Sequence, residues 1–100
     1  MELLQKLQKI KIMNAEQIHK ENGLDLQMTC GACPEQYDVF KDGKIVGYYR
    51  LRHGLFTVDY PDCGAETIYE AEPKGDGIFE ADERVMYLTN AMNAILDKLK

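Results

Sequence analysis

The pair Cys30-Gly31-Ala32-Cys33 is the motif in this chain whose spacing speaks most directly of chemistry. Two thiols at this spacing suit either a redox couple or half of a tetrahedral zinc site. Redox couples of the thioredoxin kind sit where a strand runs into a helix, so that the helix N-terminus stabilises a thiolate. Pro34 follows here and the chain enters a strand, which removes that support. A zinc ion would need His53 and Cys63 as further ligands. The strand order read below puts Cys33 near His53 but Cys63 at the opposite rim, on the order of 20 Å away at the usual strand rise. Cys30, Cys33 and His53 alone leave the tetrahedron open. The expectation is therefore small reduced thiols and no cofactor, with zinc at Cys30, Cys33 and His53 as the alternative. No catalytic group is expected: the chain has no serine, His53 falls in a tight turn, and His19 is read as lying on a solvated helix face.

Charge marks two further surfaces. The chain has 17 acids against 12 Lys plus Arg, a net charge of −5, which argues against direct nucleic-acid binding. Nine carboxylates and one lysine fall between positions 59 and 83, net −8, leaving +3 for the rest. Asp62, Glu66, Glu70, Glu72 and Asp76 are the candidates for an acidic surface that steers a basic protein partner. The competing reading is edge-strand protection and helix N-terminal charge. The second surface is Tyr48, Arg50 and Arg52, alternate residues of one strand and so on one face. Val46, Leu55, Thr57 and Asp59 would share that face, with Arg50 diagonal to Asp59. Interleaved basic and aromatic side chains can dock an acidic protein loop.

These residues must be positioned by an α+β chain of 100 residues, read as a single domain. Leu3, Leu4, Leu7 and Ile10 make one helical stripe. Asn14 reads as the N-cap of a second short helix that Gly23 ends, so residues 1–23 form a helical segment of one helix or two. An antiparallel meander of three or four strands is expected over 36–71, punctuated by Asp42-Gly43, His53-Gly54 and Pro61–Gly64. A two-residue His53-Gly54 turn pairs Leu51 with Phe56 and Tyr49 with Val58, giving one apolar face that includes Gly47 and Tyr60. At Asp42-Gly43, a two-residue turn would put Phe40 and Asp38 on that face. A three-residue turn with a glycine bulge puts Tyr37 and Val39 there and keeps charge out of the core, so it is preferred. A C-terminal helix over 80–99 carries Val85, Leu88, Met92, Ile95, Leu96 and Leu99 in one stripe. Both helices are expected on the apolar face, in a two-layer sandwich.

The N-terminus lacks a continuous apolar run, so neither a signal peptide nor a membrane anchor is expected, and three cysteines suit a reducing cytoplasm. The Phe40–Leu51 hairpin looks like that of GNAT acetyltransferases, but their glycine-rich acetyl-CoA loop is absent. The segments Tyr49-Arg50-Leu51-Arg52-His53-Gly54 and Gly75-Asp76-Gly77-Ile78-Phe79 resemble uncharacterised small acidic proteins of bacterial phages and mobile elements. That resemblance implies a class rich in inhibitors of host nucleases and other defence proteins. The expected function is a non-enzymatic, acidic protein-binding module of that kind. The alternative is a small zinc-binding or thiol-redox protein using Cys30 and Cys33.

Overall fold

Asn14 starts the first helix by a reciprocal capping box. Its side chain accepts the Gln17 N–H at 2.8 Å, and Gln17 accepts the Asn14 N–H at 3.2 Å. The computed structural model describes residues 14–100, so the Leu3, Leu4, Leu7 and Ile10 stripe lies outside the described residues. Helix α1 (Ala15–Glu21) ends at Gly23, whose φ of +79° is the left-handed stop the sequence announces.

Five strands follow in a plain antiparallel meander: β1 (Asp25–Gly31), β2 (Glu35–Lys41), β3 (Lys44–Arg52), β4 (Leu55–Tyr60) and β5 (Glu66–Ala71). The sheet thus begins at residue 25 rather than 36 and has one strand more than expected. β1 carries Cys30, and its short alternation of Leu24, Leu26 and Met28 was hidden beside the cysteine motif. Helix α2 (Arg84–Leu99) closes the chain, starting four residues later than its periodicity suggested. Glu80 to Glu83 form turns instead. Both helices lie on one face, α1 against β1 and α2 across β3, β4 and β5, giving the two layers expected.

The His53-Gly54 turn holds two residues, both with positive φ (+53° and +75°). It sets Leu51 opposite Phe56 and Tyr49 opposite Val58, as read. All four are fully buried. The other hairpin reaches the expected faces by a different route. Asp42 and Gly43 make a two-residue turn, with Lys41 opposite Lys44, and the extra residue sits inside β3, between Ile45 and Gly47. That bulge turns Val46 onto the core instead of outward and brings Tyr37 and Val39 inward. A second bulge, at Ile68, does the same in β5.

The core lies between the inner sheet face and α2. A Cβ at Gly47 would meet Ile95 Cδ1 at 2.6 Å, so any larger residue there would force Ile95 to shift. Leu88, Ala91, Met92 and Ile95 form the buried stripe of α2, whereas Val85 is left exposed. Phe56 packs edge-on to Phe79 at 5.0 Å, and Phe79 stacks on Tyr87 at 5.8 Å. The buried Phe56 and Phe79 side chains each contribute roughly 1.5–3 kcal/mol. His19 is a correction: it is buried, its Nδ1 within 2.7 Å of the Ala15 carbonyl and its Nε2 within 2.8 Å of the Tyr49 hydroxyl. Burial lowers its pKa, against the opposing effect of the Ala15 bond.

The meander has two ends. The β1–β2 loop, the His53-Gly54 turn and the chain leaving β5 share one, called here the His53 end. The Asp42-Gly43 turn and the β4–β5 loop with Cys63 share the other, the Cys63 end.

Candidate functional site

At the His53 end three separate loops are tied together by backbone. The Gly77 carbonyl accepts from the Cys33 N–H at 2.7 Å and from the Glu35 N–H at 2.9 Å, and the Asp76 carbonyl accepts from Gly54 N–H at 2.8 Å. Two buried carboxylates secure the same loop. Glu35 accepts the Phe79 N–H at 2.9 Å, the Tyr37 hydroxyl, and Arg84 through Nε at 2.9 Å and Nη2 at 3.2 Å. Glu83 accepts the N–H groups of Lys74 (2.9 Å), Gly75 (2.8 Å) and Glu80 (3.0 Å). Desolvation pushes the Glu83 carboxyl up, but the three backbone N–H groups win and hold it below its usual range. The Glu35 hydrogen bond holds the Arg84 pKa up, and burial with Glu35 alongside raises the Tyr37 phenol. Gly75 leaves no room for a Cβ, which would fall 2.0 Å from the Ile78 carbonyl oxygen.

This scaffold positions a groove on the face of the sheet that neither helix covers. Arg50, Arg52, His53, Leu55 and Thr57 line it, around a volume of 460 Å³. Arg50 stands opposite Thr57 and Arg52 opposite Leu55 in the β3–β4 ladder. Among the described residues neither arginine makes an ion pair, whereas Lys74, Arg84, Lys98 and Lys100 each do. Further along β3 the sign of the charge reverses. Tyr48 donates to Gln36 Oε1 and stands opposite Asp59 and Asp38 in its two ladders. Desolvation first, then Asp62, raises the Asp38 carboxyl. Burial first, then the neighbouring Cys63, raises the Tyr48 phenol, with Arg50 opposing. Arg50 and Arg52 thus stand toward the His53 end of the open face, with Glu70 in the same row as Arg50 and Thr57, and Asp38 and Asp59 stand toward the Cys63 end.

The sequence brought Tyr48, Arg50 and Arg52 together, and the structure places them on one face as read. The pairing of Arg50 with Asp59 does not form. Asp59 instead accepts from Thr67 Oγ1 at 2.8 Å and from Gly64 N–H at 3.0 Å. The acidic tract is not one surface. Asp62 sits in the Cys63 loop, accepting the Cys63 N–H at 2.7 Å. Glu66 turns to the helix side and pairs with Lys98 at 3.1 Å. Glu70, beyond the Ile68 bulge, stands opposite Thr57 on the open face, and Glu72 lies exposed just past β5. Asp76 joins the His53 end, Glu80 and Asp82 pair with Lys74, and Glu83 is buried.

Cys33 and His53 do meet, in a smaller pocket with Arg52, Asp76 and Gly77. Cys30 stands opposite Gln36 in the β1–β2 ladder. Among the described residues no three His, Cys, Asp or Glu side chains are grouped to hold a metal. Nor is any described helix long and apolar enough to cross a membrane.

Sequence reasoning missed Glu35, Arg84 and Glu83, the groups that build the scaffold. A signal existed for Glu35: it shares the inward alternation of Tyr37 and Val39, so a charge on the core face required a partner. Nothing local marked Arg84 as that partner, 49 positions away. Comparison of the chain with family models, with curated proteins and with solved structures finds no match.

Proposed function

We propose that this protein is a non-enzymatic binding module that docks a protein partner on the helix-free face of its sheet. The observation that carries the reading is the Arg50/Arg52 pair: two adjacent guanidiniums on an open face, without ion pairs among the described residues, in a chain with five more acids than bases. Unpaired arginines beside Thr57 and His53 suit the carboxylates of an acidic loop, which a guanidinium binds bidentately. Asp38 and Asp62 at the other end favour a basic patch on the same partner, so that the charge gradient fixes its orientation. The partner is thus recognised by a pair of opposite charges rather than by one acidic surface. Phosphate backbone is disfavoured by those carboxylates, so no direct nucleic-acid binding is expected.

The resemblance of residues 49–54 and 75–79 to small phage proteins supplies the setting. In it, the partner is a host nucleic-acid-handling or defence protein, inhibited by occlusion in the cytoplasm. The test is a pull-down from bacterial lysate at low and high salt, with the wild-type chain beside an Arg50→Glu/Arg52→Glu variant of confirmed fold. The expected result is a captured protein that the double variant loses and that salt releases, since screening weakens exposed charge contacts. Equal capture by both forms at both salts would sink the reading.

A further inference from the structure

Cys33 and Cys63 are both exposed, free thiols, at opposite ends of the sheet. Their surroundings differ in charge and in company. Cys33 lines a pocket of 260 Å³ with Arg52, His53, Asp76 and Gly77. Its backbone is fixed by the bond from its N–H to the Gly77 carbonyl. Its sulfur rests on Gly77, where a Cβ would fall 3.0 Å from Sγ, so glycine leaves the thiol its space. A second thiol is close by. Cys30 Sγ donates to the Ala32 carbonyl at 3.5 Å, and that carbonyl belongs to the peptide leading into Cys33. Cys63, by contrast, has the Asp62 carboxylate on its own N–H, Tyr48 beside it, and no thiol neighbour on its loop.

We propose that the Cys33 pocket is a thiol-exchange site for a small anionic disulfide of the glutathione type, with Cys33 the attacking sulfur and Cys30 the resolving one. The site shares Arg52 and His53 with the docking groove, but the proposal rests on the Cys33 pocket and not on the docking reading. The Cys33 thiolate attacks one sulfur of the disulfide, forms a mixed disulfide and releases one glutathione thiolate. Cys30, having lost its proton to solvent, then attacks the Cys33 sulfur, closes the Cys30–Cys33 bond and expels the second glutathione thiolate. Two protein thiols are oxidised, one glutathione disulfide is reduced, and the two protons end on the released thiols. The Arg52 guanidinium is the donor for the carboxylates of the incoming peptide, with the His53 ring as a second polar contact. The Arg52 charge favours the approach of an anionic reagent, and the Asp76 carboxylate in the same lining opposes it.

The experiment treats the reduced, desalted full chain with glutathione disulfide and follows intact mass and mapped cysteine peptides. The expected result is a loss of two hydrogens in mass, with the bond mapped to Cys30–Cys33 while Cys63 is still unmodified. In Cys30→Ser the reaction stops at a glutathione adduct on Cys33. In Arg52→Gln, exchange with glutathione disulfide slows ~10-fold, the lower range of electrostatic steering. Exchange with the uncharged bis(2-hydroxyethyl) disulfide keeps its rate. Modification of Cys63 before or together with Cys33, or absence of the Cys30–Cys33 bond, overturns the proposal in the wild-type chain alone. Equal slowing of both reagents in Arg52→Gln overturns the role given to Arg52.

Discussion

At the His53 end of the sheet, Glu35 and Glu83 turn inward and hold the backbone of the 73–79 loop. At the Cys63 end, Asp38, Asp59 and Asp62 stay near the surface, and their loop is braced mainly from within. The same residue chemistry has opposite consequences because the surroundings differ. Three backbone N–H groups hold the Glu83 carboxyl below its usual range, whereas desolvation and then Asp62 raise that of Asp38. One end thereby ties the 73–79 loop beside the turn that carries His53, and the other gathers carboxylates near the surface.

The sharpest way to break this comparison is to remove one anchor from each end. Glu35→Ala strands Arg84, the Tyr37 hydroxyl and the Phe79 N–H, and urea unfolding should report a loss of roughly 3 kcal/mol. That is the lower end for breaking a buried pair, because Arg84 stays partly solvated. Asp59→Ala at the Cys63 end removes two surface hydrogen bonds and should cost only ~1 kcal/mol. Equal losses at the two sites would refute the asymmetry.

The pH dependence of stability should also split between the ends. Glu83 is held below its ordinary pKa of 4.5 in the folded chain, so its contribution is present above that value and is lost as pH falls through the lower folded pKa. Asp38 is raised above 3.8, so its ionisation works against the fold as pH rises through the raised value. Thermal melts should therefore show Glu83→Gln losing stability at neutral pH and converging on wild type in acid. Asp38→Asn should gain slightly at neutral pH and converge likewise. The smallest effect is expected from Lys74→Ala, whose pairs with Asp82 and Glu80 are solvent-exposed on both sides. A melting temperature within error of wild type would agree with the anchor being Glu83, and a large drop would move it to Lys74.

His19 gives a further check that belongs to neither end. Burial lowers its pKa below 6.5, so the unfolded chain binds the extra proton first. Stability should fall on acidification below about pH 6.5 and level off under the lower folded value. His19→Phe should flatten that window in a series of melts, and an unchanged slope would assign the dependence elsewhere.

Much of the frame was legible because the signals were local. Asn14 and Gly23 bracket α1, and His53-Gly54 sets a tight turn that fixes five ladder pairs between β3 and β4. The alternation of Tyr48, Arg50 and Arg52 then follows from the pleat alone, and so the candidate face was readable. What failed did so where one residue shifts a register. The bulges at Val46 and Ile68 have no sequence mark, yet each moves a side chain to the other face. The second separates Glu66, on the helix side, from Glu70, on the open face, and so divides an acidic tract that even alternation would have kept together. His19 was misplaced because its polarity suggested solvent, while Tyr49, 30 positions on, supplies its buried partner.

The sequence by itself determined α1, the turn that pairs β3 with β4, and the faces of those strands from Tyr48 to Val58, because each depends on spacing within a few residues. Tertiary structure alone decided which carboxylates are structural and which remain free. That choice rests on donors brought from distant positions: Arg84 to Glu35, Lys74 and Gly75 to Glu83, and Lys98 to Glu66. A charge count carries no such information, since burial and the partner a fold supplies determine what each charge does.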